Sequence, residues 1–382
     1  MVHAMMEREL TLGERFKRAD WALLGLGLLL SLLGVVVIHV ASEGQATDFG
    51  AAQLRWTVIG LAACLLVLAV PYRRIVDLRY LWYALGLALL VAVLFVGRGK
   101  SAGRWIELAG FRLQPSEVMK LVMVVTLAGA LRYEQGIERE RRVIIPLLLT
   151  LLPVALVMKQ PDLGTALLFL PLLLSMLYAA GVRRGLLLGL VGAGVAGLLV
   201  LWFVPGLLHG YQRTRFEAFL RQGDDDPLLL RSYNLQLQQA KIVVGTAPVL
   251  GHGLGEEAAQ AVAGLPERHS DFAFPVLASS LGLAGVTVFL LLNLLFLWLL
   301  LRTALRVREP SGRLLAVGAW ALFSVQGLVN MAMTVGLLPI VGMPLPFISY
   351  GGSSLLTSFL ALGLVLNVGA ERAVEFGRAD FD

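Results

Sequence analysis

Two acids, a histidine and an arginine occupy Glu267-Arg268-His269-Ser270-Asp271, directly ahead of an apolar run long enough to cross a bilayer. A carboxylate at that place has two uses. It can cap the helix that follows by accepting backbone N–H groups, or it can take the proton of a hydroxyl that is otherwise a poor nucleophile. Asp271 is open to either use. Glu267 lies four residues earlier, where a helical path would put like charge beside Asp271 and raise its pKa, while Arg268 opposes that shift and leaves the net direction open. Cations that could meet an anion recur along the chain: Arg55 inside an apolar run, Lys120 three residues after Glu117 and close enough to pair with it, Arg104, and Arg213 and Arg215 on either side of Thr214. Two turns, QPSE (114–117) and KQPDLGTAL (159–167), set proline before a residue able to cap a helix. Two helix N-termini would then open together with carboxylate and amide groups, among them Gln160 and Asp162. Such ends suit a phosphate-bearing ligand.

The elements that must position these groups belong to a membrane protein. Of the 382 residues, 58% are hydrophobic and 15% charged, against about 25% charged in soluble domains. The single cysteine excludes a disulfide framework. The histidines lack zinc-type spacing, no P-loop or dinucleotide fingerprint is present, and the acidic run GDDDP (223–227) reads as a solvated loop. The net charge of +6 is the excess that cytoplasmic loops carry and argues for no nucleic-acid partner.

Runs of about 20 apolar residues predict spans, here ten: 21–40, 53–70, 79–96, 117–132, 143–158, 164–180, 186–204, 273–300, 314–334 and 353–370. The expected fold is all-α and polytopic, one membrane domain over 1–382. Arg pairs at 73–74, 141–142 and 183–184 place the loops holding them inside, whereas 41–52 and 336–352 hold no Lys or Arg. Both termini, 1–20 and 371–382, are therefore expected in the cytoplasm, with a large outer loop at 205–272 between spans seven and eight. That loop reads as folded, with short helices near 211–220 and 232–245. The run 186–204 sets Gly189, Gly192, Ala193, Ala196 and Gly197 at helical spacings, which predicts tight helix packing. The uncharged segment LLPIVGMPLPFISYGGSS (337–354) is too Pro-rich for a helix, so it must be buried in protein or cap a cavity.

Five stretches in order carry a resemblance: RWIELAGFRLQPSEVMK (104–120), KQPDLGTAL (159–167), YQRTR (211–215), LPERHSDFAF (265–274) and GMPLPFISYGGSS (342–354). Together they resemble the SEDS family of peptidoglycan glycosyltransferases, with wording closer to its rod-elongation branch than to its division branch. The resemblance implies polymerisation of lipid II into β-1,4 glycan at the outer face of the bacterial cytoplasmic membrane, with undecaprenyl diphosphate as leaving group. It implies Asp271 as the catalytic acid-base group. Arg55, Arg104, Trp105, Glu117, Lys120, Gln160, Asp162, Gln212, Arg213, Arg215, Glu267, His269 and Ser349 are the candidate substrate contacts. It implies no organic cofactor; a divalent cation such as Mg or Mn could assist the diphosphate. A class B penicillin-binding protein and other elongation-complex membrane proteins are the implied partners. The chain departs from the family at Gly245-Thr246-Ala247-Pro248, at Gly251-His252-Gly253-Leu254 and at Ser279-Ser280, where the family has Gly-Ser-Gly-Gly, Gly-Lys-Gly-Trp and a Glu pair. A lipid II flippase and a non-catalytic scaffold are the competing readings; a transporter would place its site at the midplane between inverted repeats, and no repeat is evident.

Overall fold

Hydrocarbon offers the backbone no hydrogen-bond partners, so apolar runs of this length resolve as helices. The computed structural model of the chain describes residues 10–44, 47–96, 103–108, 111–132, 141–160, 162–204, 210–222 and 235–379. They form α1 (Leu12–Arg18), α2 (Trp21–Ser42), α3 (Phe49–Ala69), α4 (Tyr72–Asp77) and α5 (Arg79–Val96). A hairpin of β1 (Ile106–Leu108) and β2 (Phe111–Leu113) leads to α6 (Pro115–Leu131), α7 (Arg141–Lys159), α8 (Leu163–Ala179) and α9 (Arg184–Phe203). The shorter helices α10 (Gly210–Leu220), α11 (Leu235–Gly245) and α12 (Glu256–Ala261) precede α13 (Ala273–Arg306), α14 (Pro310–Thr334) and α15 (Gly352–Ala379).

Each run expected to span falls on a helix. Six of these segments are long and apolar enough to cross a membrane by themselves: α2, α3, α5, α13, α14 and Gly352–Glu371 of α15. The apolar parts of α7, α8 and α9 are shorter, and α6 carries Glu117 and Lys120 near its start. The chain is thus an all-helical polytopic membrane protein with one addition. Extended backbone at β1 and β2 pairs Glu107 opposite Arg112, and their side chains form a 3.0 Å ion pair.

Two apolar cores fill the bundle. One gathers Phe296, Phe347 and Phe359 with α2 and α3, the other gathers α6 and α8, and α14 and α15 contribute to both. The Pro-rich segment also contributes to both cores, through Leu345, Phe347 and Ile348 on one side and Val341 and Met343 on the other. As anticipated, it is buried in protein. At Gly34 a Cβ would lie 2.4 Å from the Phe347 carbonyl oxygen, so α2 approaches this segment only because it lacks a side chain there.

The small-residue expectation for 186–204 fails. Gly189, Gly192 and Gly197 have nothing within 4 Å of a Cβ position, and Ala193 and Ala196 are exposed. Among the described residues, helix α9 packs against α8 and meets α10 at its far end, where Trp202 lies against Phe216. The two glycine settings give a paired test. Gly34→Ala should cost about 1–3 kcal/mol through overpacking, while Gly189→Ala should stay within about 1 kcal/mol of the parent. Thermal unfolding in detergent checks both, and equal effects would contradict the packing described.

Candidate functional site

The turn Leu265–Phe272 is built before it is functional. Arg268 is buried, and its guanidinium donates to the carbonyls of Ala41 (2.6 Å), Val262 (3.3 Å) and Glu43 (3.3 Å), bolting the turn to the end of α2. Glu267 adopts φ 49°, and its carbonyl accepts from Ser270 N and Phe272 N at 3.1 and 3.3 Å. Left-handed backbone at a non-glycine residue is strain that the surroundings must hold. The His269 ring stacks on Phe49 with centroids 4.3 Å apart, and Tyr350 closes the edge at 5.9 Å. The His269 carbonyl accepts from Tyr350 N at 2.8 Å, so His269 is fixed as part of this aromatic wall. Burial lowers the pKa of its imidazole.

Asp271 does not cap α13. Phe272 takes the N-cap position with no side-chain cap bond, and the Asp271 carboxylate has no hydrogen bond among the described residues. Removal from water pushes its pKa from 3.8 up to about 6, Glu267 and Asp162 push in the same direction, and Arg215 and Arg104 oppose them. A Cβ at Gly342 (φ 71°) would lie 3.3 Å from Asp271 Oδ2 and 3.8 Å from an Arg215 terminal nitrogen. Both side chains therefore bear on bare backbone at the Pro-rich segment. A desolvated carboxylate flanked by two arginines can accept a proton near neutral pH while the cations meet an anion.

Helix α13 is interrupted at Gly282 (φ 66°, ψ −167°). The loop after α11 fills the break: His252 N and Gly253 N donate to the carbonyls of Ser279 and Ser280 at 2.9 and 3.1 Å, and Ala284 N donates to the Val249 carbonyl at 3.0 Å. His252 Nδ1 lies 3.2 Å from Ser279 Oγ. Two of the sequence departures, His252 and Ser279, are thus in contact with each other. The segment 273–281 behind Asp271 is held as a separate short helix.

Other candidates are placed as follows. Glu117 and Lys120, expected near the interface toward a ligand, are instead buried at 3% and 2% exposure and pair at 2.7 Å. Lys120 also donates to Gln326 at 2.9 Å. Asp162 caps α8 through Thr165, and its Oδ2 accepts from Ser116 and Gln114 at 3.1 and 3.2 Å, tying the starts of α6 and α8 together. Its cap role holds, and its charge still reaches Asp271. Gln160 donates to the Leu90 carbonyl, away from Asp271, while its own carbonyl accepts from Arg104 at 2.9 Å. Ser349 is buried and closes the Pro-rich turn on Leu345 N at 2.8 Å, so it is structural. Arg55, expected as an unmatched charge within a span, is exposed near the start of α3 and close enough to Tyr350 to act on its hydroxyl. Arg213 pairs with Glu217 at 3.0 Å on an exposed face. Trp105 is half-buried beside the hairpin. The side chain of Gln212 and the acidic run 223–227 lie outside the described residues. Sequence reasoning missed Gln326 and Asn330, two amides four residues apart in an apolar helix. Polar groups inside a span were the available signal.

No three His, Cys, Asp or Glu side chains among the described residues stand close enough to hold a metal ion. A divalent cation shared between one carboxylate and a substrate diphosphate would need no such cluster, and no step is assigned to one.

The chain is similar to known proteins over nearly its whole length. The sequence model of the FtsW/RodA/SpoVE family, described as "Cell cycle protein", matches residues 18–374. "Probable peptidoglycan glycosyltransferase FtsW" of Geobacter metallireducens is 34% identical over 372 residues, 93% of this chain and 96% of the relative. "Peptidoglycan glycosyltransferase MrdB" of Escherichia coli K12 is 33% identical over 354 residues, 90% and 93% of the two chains. Among solved structures, a chain from "Structural coordination of polymerization and crosslinking by a peptidoglycan synthase complex" superposes with TM-score 0.79 at 33% identity, covering 93% of this chain and 98% of its own. The rod shape determining protein RodA of Thermus thermophilus gives 0.69 at 29%, covering 93% and 97%. A match spanning nearly the whole length leaves one assignment: the chain belongs to the FtsW/RodA/SpoVE family, the SEDS proteins.

Proposed function

We propose that this protein is a peptidoglycan glycosyltransferase that polymerises lipid II into β-1,4 glycan, with Asp271 as its base. The supporting observation is the uncapped, desolvated Asp271 carboxylate with Arg215 and Arg104 acting on it. Asp271 takes the proton of the acceptor sugar hydroxyl. That oxygen bonds to the anomeric carbon of the donor as the bond from that carbon to the lipid diphosphate breaks. Arg215 and Arg104 meet the charge that develops on the diphosphate. An α-linked donor gives a β-linked product by one displacement, so one base suffices. His269, held on Phe49, lines the approach to Asp271, and Glu267 keeps the carboxylate basic through like charge.

The reaction is assigned to the outer face of a bacterial cytoplasmic membrane, with ten helices crossing and both termini inside. The Lys and Arg distribution supports that orientation. The Pro-Glu-Arg-His and Met-Pro-Leu-Pro wording supports the elongation branch, and a class B penicillin-binding protein is the partner proposed by analogy with the synthase complex. Purified full-length protein given lipid II, with and without such a partner, should build glycan chains that lysozyme degrades. Movement of lipid II across vesicles without any polymer would replace this reading with transport.

A further inference from the structure

Asp271 has no cap bond to fix its side chain, so its position depends on how its backbone is held. The Asp271 carbonyl accepts from Asn330 Nδ2 at 2.9 Å, and the same nitrogen donates to the Met343 carbonyl at 2.6 Å. Met343 follows Gly342, the backbone against which Asp271 Oδ2 and Arg215 lie. One amide in α14 therefore sets the spacing between the Asp271 turn and that backbone. Asn330 is 0% exposed, and its Oδ1 has no partner among the described residues. A buried amide with one atom unsatisfied is explained only by what the other atom holds.

One helical turn earlier, Gln326 Nε2 donates to the Pro344 carbonyl at 2.9 Å, and Gln326 Oε1 accepts from Lys120 at 2.9 Å. Residues four apart share a helix face, so Gln326 and Asn330 grip the consecutive carbonyls of Pro344 and Met343. The buried Glu117–Lys120 pair anchors the ladder at its far end.

We infer that Asn330, backed by Gln326, is a positioning residue for the polymerisation reaction, holding Asp271 in register with the Gly342–Pro344 backbone. The inference rests on Asp271 being the base. It gives the Glu117–Lys120 pair a role in fixing the site without contact to substrate.

The test is steady-state polymerisation by the full-length protein, with Asn330→Leu as the main variant because it keeps the branched side-chain shape and removes both donors. A misplacement of about 1 Å costs on the order of 100-fold, so kcat should drop by up to that factor. KM should stay within about twofold, since substrate contacts remain. With its turn released, Asp271 regains water, and the acidic limb of the rate profile should move down from about 6. Glu267, Asp162, Arg215 and Arg104, the charged groups that act on Asp271, are unchanged in this variant. Asn330→Ser keeps one donor, should recover part of the rate, and serves as the test if Asn330→Leu does not accumulate. A wild-type kcat, or a loss that tracks the folded fraction with the acidic limb unmoved, overturns the inference. Asp271→Asn assayed in parallel separates the two ideas. Normal polymerisation by that variant removes the base and Asn330's role with it, whereas an inactive Asp271→Asn beside a fully active Asn330→Leu removes only Asn330.

Discussion

Asp271→Asn is expected to abolish glycan polymerisation while the protein still folds and inserts. Losing a positioned base costs about 10²–10⁴-fold, which takes a slow polymerase below detection. The substitution removes one ionisation and disturbs no cap, since Phe272 occupies the N-cap without a side-chain bond. The wild-type enzyme carries the matching pH signature. With Asp271 as the proposed base and its pKa pushed up to about 6 by burial, kcat/KM should fall roughly tenfold per pH unit below that value. Stability runs the other way. A carboxyl raised from 3.8 to about 6 in the folded state binds its proton more tightly there than in the unfolded chain. The folded state therefore loses stability as pH rises through that interval and stays lower by about 3 kcal/mol above it. Asp271→Asn removes this term and should melt at a higher temperature than the parent at pH 7. Unchanged polymerisation by the variant would end the base assignment, and a lower melting temperature would contradict the desolvation described.

The second large effect lies out of reach of any substrate. Lys120→Met should destabilise the protein by about 3–5 kcal/mol, because it leaves Glu117 charged and buried without its cation. Lys120 Nζ sits 2.7 Å from Glu117 Oε2, and its loss also unties Gln326 from α6. The double variant Glu117→Gln/Lys120→Met should recover most of the loss, since a neutral pair needs no counter-charge. Denaturation of the purified single and double variants measures the coupling. A single variant as stable as the parent would show that the pair is not buried as described. Activity is informative as well: a refolded single variant should polymerise poorly even where folded, because the Gln326–Asn330 ladder has lost its anchor.

The helices were legible because apolar runs of this length have one solution in lipid, and the cap at Asp162 stands where the sequence places it; those at Asp20 and Asp48 were not anticipated. The hairpin at 106–113 was missed because two three-residue strands leave no usable period. The glycine run in α9 misled because spacing states that helices can approach, not that a neighbour is there. Residue type alone did not distinguish Glu117, Lys120 and Ser349, which are buried and bonded within the bundle, from Asp271, whose carboxylate caps no helix. Type and spacing give a group's chemistry, while its accessibility depends on contacts hundreds of residues away, such as that between Gln53 Nε2 and the Ser349 carbonyl at 3.2 Å.

The sequence by itself determined the class, the helices and the identity of the acid. Hydropathy, loop charge and motif order are local properties that survive without coordinates. Tertiary structure decided what that acid can do. A carboxylate before a helix is a cap when it meets the first N–H groups and a base when it is held away from them, uncapped and desolvated. Asp271 is held away from those N–H groups, as the proposed base requires, because the end of α2, Asn330 and the Pro-rich segment bear on its turn from three separate parts of the chain.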